Sequence, residues 1–419
     1  MIIKINEMYL NRFFFILLSI LPLSFLFGPA FSLINVLFFD IFFLIVLFLN
    51  KETYWIKNIT VKFLLLLYLY LIFNSFISIE INSGLLRNFG FLRLVILFVG
   101  INYFFYKYQN FKQIFNIWSV IILIVVIDIF IEVLFGSNIL GYGQNAGRVA
   151  SFFKDELIVG GFVLSFSLMI AGYYLNQLDK FSKIYKIITY TFMFILLFSI
   201  IITGERSNSI KALIGLLILF FIFHKFNIRS VVIILLITLS SAIIIFNKSN
   251  YLKNRYTDSI IHSIKTYTVS FKHGDPHHFK TGNLYAQLHR SGYDVFKKYP
   301  YLGVGNKNYR HETCVNKENK SYVCETHPHQ IYFELLSEHG ILGTLLILAV
   351  FTFLLIRGFK VNIEEKNFIG IGCFCYLFTV FTPLIPSGSF FTDYNISLFF
   401  INLSIMYASN KQLNIFNKR

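Results

Sequence analysis

The residues best suited to chemistry lie where a long polar stretch of the sequence gives way to apolar segments. His327 and His329 begin this segment, Gln330 follows them, and Glu338 lies further along. At the start of a predicted helix, the helix dipole favours a neutral imidazole on His329, which can accept a proton from a hydroxyl group. Because ionisable groups at a membrane boundary are costly, we interpret the segment as a candidate reaction centre. A simple capping histidine is the alternative.

A second constellation joins two apolar segments through a very short turn. It contains Glu205 and Arg206, with Lys211 close behind. An arginine can hold a diphosphate in bidentate fashion, and the free N–H groups at a helix start add affinity for anions. The sequence therefore predicts an anion site at this turn. In the alternative interpretation, Glu205 neutralises the turn by pairing with Arg206 or Lys211.

Two further segments each offer an arginine. The glycine-rich stretch 141–156 contains Arg148 followed by two acids, and its glycines let the backbone approach a ligand closely. The stretch 289–299 has the pattern of a short amphipathic helix that carries Arg290, followed by Pro300 and a glycine-rich turn. The structural alternatives are a flexible loop in the first case and a helix that lies on the membrane surface in the second.

The composition of the chain assigns these residues to a membrane protein. Of its 419 residues, 56% are hydrophobic and only 14% are charged, whereas about a quarter of a soluble domain is charged. The net charge of +16 could suggest nucleic-acid binding. The basic residues are, however, spread over short connections between apolar runs, so we expect no nucleic acid among the partners.

Apolar runs of about 17–25 residues divide the chain into predicted membrane helices. We predict an all-α integral membrane protein with about 12 transmembrane helices and one large loop between the ninth and tenth. The chain then consists of nine spans in residues 1–246, the loop 247–328, and a helix at the membrane edge with three spans in residues 329–419. The predicted spans are 12–28, 30–49, 60–78, 89–106, 114–135, 156–176, 187–203, 208–223, 230–246, 340–356, 367–385 and 390–408.

The distribution of lysine and arginine orients these spans. Basic residues concentrate in every second short connection and at both termini, which places that side in the cytoplasm. The large loop then lies outside the cytoplasm. In that oxidising environment we predict a disulfide between Cys314 and Cys324. Cys373 and Cys375 fall in a span and are interpreted as small apolar residues.

The histidines of the loop raise the question of a metal site. No pair of them has the spacing of a helical zinc signature, and loop histidines of this kind are often solvated. We therefore expect neither a required metal nor another cofactor.

In this order, the four segments resemble the O-antigen ligase and O-antigen polymerase superfamily of bacterial envelope glycosyltransferases. The resemblance covers about residues 140–345. Gln330 is a departure, since the family usually has asparagine there; glutamine keeps the amide at a longer reach. The motifs are Gly147-Arg148 with Phe152 and Phe153, Thr203-Gly-Glu205-Arg206-Ser207, Arg290 ahead of Pro300 and Gly303-Val-Gly305, and His327-Pro-His329 leading to Glu338-His-Gly340-Ile-Leu-Gly343.

The resemblance implies a reaction at the periplasmic face of the bacterial inner membrane. A glycan linked to undecaprenyl diphosphate is the donor, and lipid A-core or a growing glycan is the acceptor, without nucleotide sugar, metal or cofactor. By this resemblance, Arg206 and Arg290 bind the diphosphate and stabilise its leaving charge, while His329 orients or deprotonates the acceptor. The supporting residues are Arg148 and Lys211 at the donor site, Glu205 and Gln330 in substrate binding, and Glu338, which holds His329 or shapes the helix.

Several functions remain open at this point. Ligase and polymerase use similar residues, and the well-formed segment from His329 to Glu338 favours a ligase. An exporter of lipid-linked glycans would carry polar groups at the bilayer midplane. Here the midplanes are mostly Phe, Ile and Leu, with Asp128 and Asn74 as partial exceptions. An inert scaffold would tolerate the loss of Arg206 and His329.

Overall fold

The computed structural model describes residues 7–417 except 52, 109–110, 145–146, 155, 181, 226–227, 230–231, 233–234, 237–239, 242, 244–249, 274–282 and 317–318. In this part of the chain every regular element is helical and there is no strand. The α-helices are α1 (Glu7–Ser19), α2 (Leu21–Leu26), α3 (Pro29–Asn50), α4 (Ile59–Phe76), α5 (Ile81–Gly90), α6 (Leu92–Tyr108), α7 (Phe111–Phe135), α8 (Val159–Leu175), α9 (Lys183–Ile202), α10 (Arg206–Phe223), α11 (Asn250–Lys253), α12 (Ser259–His273), α13 (Leu284–Lys298), α14 (Tyr309–Val315), α15 (Ile331–Glu364), α16 (Phe368–Val380) and α17 (Asp393–Ala408).

Among the described residues, 7 helical stretches are long and apolar enough to cross a membrane. They confirm the predicted all-helical membrane protein, whereas the count of about 12 spans and the position of the large loop stay predictions. The ninth predicted span, 230–246, lies mostly outside the described residues. The long stretches are Pro29–Asn50, Ile59–Phe76, Ile81–Tyr108, Lys112–Phe135, Lys183–Ile202, Arg206–Phe223 and Ile331–Glu364; shorter apolar helices are Tyr9–Ser19, Val159–Leu175 and Phe368–Val380.

The first predicted span, 12–28, is divided into two helices. α1 ends at Ser19, and α2 begins two residues later, at Leu21, with Pro22 in its first turn. Proline lacks an N–H group and its ring clashes with the carbonyl four residues earlier, so it breaks a continuous helix. That carbonyl, on Leu18, accepts a hydrogen bond from the Trp118 indole at 2.8 Å. α7 thus satisfies a backbone group that the proline leaves without a helical partner.

α15 is divided by a kink at Gly340. This residue has φ 62° and ψ −170°, outside the helical region. Gly303, with φ 70°, comes so close to the kink that a Cβ there would lie 2.4 Å from the carbonyl carbon of Glu338. Both positions require glycine because the backbone is left-handed and the approach is close. The kink separates a short helix at the start of α15 from the tenth predicted span, 340–356.

α8 lies at the centre of the bundle and is buried along almost its whole length. It packs on α16 through small residues. A Cβ at Gly172 would lie 2.0 Å from the Phe368 carbonyl oxygen, and one at Gly372 would lie 2.1 Å from that of Leu168. Glycines that let helix backbones approach closely are common at helix interfaces in membranes. This packing fixes the start of α8, which forms one wall of the site described below.

The polar region before α15 contains the helices α12, α13 and α14. α13 covers the amphipathic stretch predicted at 289–299 up to Lys298, and the Asn283 side chain caps the helix by accepting from the Ala286 N–H at 3.2 Å. Cys314 and Cys324 form the predicted disulfide, which joins α14 to the segment that follows it. Cys373 and Cys375 are free and buried in α16, as expected for small apolar residues.

Candidate functional site

A cavity of about 710 Å³ lies where several of these elements meet. Its walls come from the loop before α8, the start of α10, the helices α12 and α13, the start of α15 and the segments around α16 and α17. Residues from all four segments singled out in the sequence share this space, and five of them are predicted site residues. Those that line it are Arg148, Glu205, Arg206, Lys211 and His329.

Glu205 is buried beside the start of α8, where both of its carboxylate oxygens are bound. One accepts from the Gly160 N–H at 2.8 Å and the other from the Asn208 amide at 2.5 Å. Burial raises the pKa of Glu205, and these hydrogen bonds oppose the increase. Within the described ranges, no acid forms an ion pair with Arg206 or Lys211. Glu205 therefore holds the turn against α8 and leaves both cations without a counter-ion.

Arg148 reaches the cavity from a loop that two buried acids of α7 hold in place. Glu132 accepts from the Ser151 N–H at 2.7 Å, and Asp128 accepts from the Ser151 hydroxyl at 2.5 Å. The Arg148 guanidinium donates to the Leu157 carbonyl at 3.3 Å, while its buried Nε has no partner among the described residues. Asp128, which the sequence marked only as a polar exception in an apolar span, thus helps to position this loop.

The first turns of α10 place two cations on the cavity wall. Arg206 is the first residue of the helix, and Lys211 lies further inside with only 8% of its surface exposed. Burial of an ammonium group without an acidic partner is unfavourable. An anion in the cavity would relieve this cost, so the arrangement favours an anionic ligand.

His329 enters the cavity from a strained backbone position. Its φ of 54° is left-handed, and its carbonyl accepts from the Ser387 N–H at 2.9 Å. The imidazole lies against the His327 ring, with 4.0 Å between the centroids, and edge-on to the Tyr285 ring at 6.1 Å. Burial lowers the pKa of His329, so the neutral imidazole is favoured at neutral pH. Strained positions of this kind cluster at functional sites.

Three residues predicted from the motifs are not among those that line the cavity: Gln330, Arg290 and Glu338. Gln330 caps α15, since its amide oxygen accepts from the N–H groups of Tyr332 and Phe333 at 2.8 and 3.1 Å. Glu338 is fully buried on the same helix, and neither carboxylate oxygen has a hydrogen-bond partner among the described residues.

Arg290 is bound within the polar region. Its Nε forms an ion pair with Asp294 at 2.8 Å, one helical turn away. Its guanidinium also lies 5.8 Å from the Phe271 ring centroid and 6.0 Å from that of Tyr293. The role predicted for Arg290 in binding the diphosphate would require it to leave these partners, and it stays a prediction.

The residue before Arg290 faces the cavity instead. His289 lines it, and the His289 Nδ1 lies 2.9 Å from the Tyr267 hydroxyl. Burial lowers the pKa of His289 to about 4. Adjacent residues of an α-helix point about 100° apart, and the residue pattern alone does not show which of the two faces the cavity. Arg255 and Tyr285 also line the cavity and belong to none of the motifs.

The fold and the cavity define a helical membrane protein whose site combines unpaired cations with buried histidines. A family model described as O-antigen ligase matches residues 191–348, and this segment includes Arg206, Arg290 and His329, whereas Arg148 precedes it. No curated protein matches the chain significantly. This match confirms the resemblance to the O-antigen ligase superfamily and indicates a ligase- or polymerase-type glycosyltransferase.

Proposed function

We propose that the protein is an O-antigen ligase-like glycosyltransferase of the bacterial inner membrane. It transfers a glycan from undecaprenyl diphosphate to a hydroxyl of lipid A-core at the periplasmic face. The observation that carries the proposal is one cavity that holds unpaired cations together with a histidine whose pKa is lowered. The match to the O-antigen ligase family supports the type of reaction.

The cations provide a site for the donor diphosphate. Arg148, Arg206 and Lys211 line the cavity, and a guanidinium group matches two phosphate oxygens in a fork. In a partly buried site, each positive charge acts more strongly than it does in bulk water. The same groups therefore bind the donor and stabilise the negative charge that grows on the diphosphate as it leaves.

The apolar part of the cavity wall suits the polyprenyl chain of the donor. Burial of a hydrocarbon chain against such a wall is favourable, whereas a nucleotide sugar would gain little from it. This favours a lipid-linked donor. The wall includes Leu164, Ile210, Ile264, Val380 and Leu398.

His329 is the base in the proposed transfer. The acceptor oxygen attacks the anomeric carbon of the donor glycan, and the bond between that carbon and the diphosphate oxygen breaks. The electron pair of the broken bond goes to the diphosphate, and the acceptor proton goes to the imidazole. Because burial lowers the pKa of His329, the imidazole is neutral at pH 7 and able to accept this proton.

The first test is complementation of a bacterial strain that lacks this gene, with the surface glycan separated on a gel. The variants are His329→Ala and Arg206→Ala. The matched controls are His262→Ala and Arg310→Ala, which replace exposed residues of the same types. Immunoblots of the membrane fraction check that all four variants accumulate to the wild-type level.

We expect the two cavity variants to lose long lipopolysaccharide and to accumulate lipid-linked polymer, while both controls retain the wild-type pattern. Lipopolysaccharide with a single repeat unit would instead identify a polymerase on the same class of donor. An unchanged glycan pattern in His329→Ala and Arg206→Ala would overturn the enzymatic proposal and leave an exporter or a scaffold.

A further inference from the structure

We infer that Arg255 is a further ligand of the donor diphosphate. It lies in a segment, residues 250–258, that we call the strap. The strap contacts both the turn that bears Arg148 and the turn that bears Arg206. The inference deepens the proposed function and rests on it. The strap consists of α11 and a π-helical turn, Asn254–Asp258. Single π-helical turns are rare and are frequent at functional sites.

Hydrogen bonds attach the strap to the turn before α10. Arg255 Nε donates to the Gly204 carbonyl at 3.1 Å. The Tyr256 hydroxyl donates to the Ile201 carbonyl at 2.8 Å and lies 2.7 Å from the Ser209 hydroxyl. The strap therefore contacts the chain on both sides of the arginine that begins α10.

Tyr251 of the strap contacts a glycine in each of the two arginine-bearing turns. A Cβ at Gly147 would lie 2.6 Å from the Tyr251 ring, and one at Gly204 would lie 2.6 Å from its hydroxyl oxygen. The two glycines have φ of 73° and 76°, which side chains rarely adopt. One aromatic side chain thus fills the space next to Arg148 and Arg206, and it provides a reason for glycine at both positions.

The guanidinium group of Arg255 is held at its Nε, which leaves its two terminal nitrogens available to a ligand. Its Nε is bound to Gly204, and its two terminal nitrogens make no hydrogen bond to any described residue, although Arg255 lines the cavity. Arginine recognises phosphate through such paired N–H groups. The backbone contact therefore holds the side chain in place without using the atoms that would bind a phosphate.

The charges of three arginines act on one phenol. Burial raises the pKa of Tyr251, and the charges of Arg255, Arg148 and Arg206 all oppose the increase, so all three lie within electrostatic range of its hydroxyl. Like charges gathered in a partly buried site repel each other. Glu205 is the one acid among the described residues of the cavity wall, and its oxygens are bound to other groups. Two linked phosphates supply the negative charge that the cluster lacks.

The test measures lipid binding by the purified full-length chain in nanodiscs. The probes are undecaprenyl diphosphate and undecaprenyl monophosphate, and the variant is Arg255→Gln, which keeps a donor for the Gly204 carbonyl but removes the charge. Lys253→Gln is the control, because Lys253 is exposed on the same strap and carries the same charge. Arg206→Ala reports on the proposed function independently.

We expect Arg255→Gln to weaken diphosphate binding by about tenfold or more, as for a lost charge-assisted hydrogen bond, with a smaller effect on the monophosphate. Lys253→Gln should bind like the wild type. If Arg255→Gln binds like Lys253→Gln while Arg206→Ala loses affinity, the inference is wrong and the proposed function stands. If the wild type retains no diphosphate lipid, both are overturned.

Thermal unfolding of each variant shows whether the strap is still folded. Should Arg255→Gln unfold, Arg255→Lys takes its place, because it keeps the charge and the alkyl stem but lacks the fork. A folded Arg255→Lys with wild-type affinity for the diphosphate would contradict the inference, and a loss of several-fold would support it.

Discussion

Two groups of positively charged side chains in this protein differ in their surroundings. Outside the cavity, several cations form an ion pair with an acid, and these pairs are Arg87 and Arg93 with Asp393, Arg290 with Asp294, Lys298 with Glu312, and Lys307 with Glu334. On the cavity wall, no cation forms an ion pair with a described acid, and these residues are Arg148, Arg206, Lys211 and Arg255.

The presence or absence of an acidic partner distinguishes cations that stabilise the fold from cations that bind a ligand. A buried charge costs free energy unless a partner compensates it. The paired cations therefore stabilise their surroundings, whereas the cavity cations lower stability until an anion binds. Functional sites commonly sacrifice stability in this way. The comparison predicts that the two groups respond oppositely to substitution: activity falls in one group and stability in the other.

The largest effect is expected for Arg206→Ala. Loss of one group that stabilises the leaving charge should lower the rate of glycan transfer by about 10²–10³-fold. The melting temperature of the ligand-free protein should not fall, because the substitution removes one of several like charges. Transfer assays and thermal unfolding in detergent measure both quantities, with Arg310→Ala as the exposed control. A marked loss of stability would show that Arg206 stabilises the fold, which contradicts the division into two groups.

Lys307→Met tests the opposite group. Lys307 lies 3.9 Å from Glu334, which is almost fully buried and also accepts from Ser389 and the Phe390 N–H. Removing the lysine leaves a buried carboxylate without its cation, so we expect a loss of about 3 kcal/mol in the free energy of unfolding. Lys320→Met, at an exposed position, is the control. Equal stability of the two variants would mean that this pair contributes nothing.

The buried histidines predict a dependence of stability on pH. Burial lowers the pKa of His327 to about 3 and that of His289 to about 4. The unfolded chain takes up protons on these histidines below about pH 6.5, while the folded protein does not. Stability is therefore full above that pH and decreases as the pH falls toward the folded pKa values, by roughly 2 kcal/mol for each histidine between pH 7 and 5.

Thermal unfolding between pH 5 and 8 measures this slope. His327→Gln, which does not titrate, should reduce it, and the exposed control His262→Gln should leave it unchanged. A melting temperature of the wild type that is constant over this range would contradict the prediction, because it would show that the folded protein takes up protons on these imidazoles over the same pH range as the unfolded chain.

The sequence was a good guide to the helices because apolar length and the charge distribution are local properties. It also found the turn with Glu205 and Arg206 and the loop with Arg148, since glycines and charges between apolar runs are visible in one dimension. It did not show that Glu205 binds the Gly160 N–H. That contact depends on how α8 and α10 pack, and packing of this kind leaves no local pattern.

Some site residues could not be predicted for similar reasons. Arg255 lies in a polar stretch outside the four motifs, and tertiary contacts such as its hydrogen bond to the Gly204 carbonyl bring it to the cavity. His289 and Arg290 are neighbours on one helix, and the amphipathic pattern does not say which side meets the site. Gln330 has the residue type of a ligand-binding amide, yet its oxygen caps a helix. Distinguishing these roles requires the tertiary structure.

Arg290 gives the smallest expected effect and the sharpest test of the comparison. Its pair with Asp294 is half-buried and within one helix, and its contacts with two aromatic rings are partly exposed. Arg290→Ala should therefore lower the free energy of unfolding by only about 1 kcal/mol, and reduce transfer less than Arg206→Ala does.

Asp294→Asn separates the two possible roles of Arg290, in the fold and in binding of the donor. If Arg290 serves the fold, freeing it by Asp294→Asn costs stability and leaves donor affinity unchanged. If Asp294→Asn instead tightens binding of undecaprenyl diphosphate, Arg290 leaves Asp294 when the donor binds. A cation that is paired in the ligand-free protein could then still bind the donor, which would contradict the division into two groups.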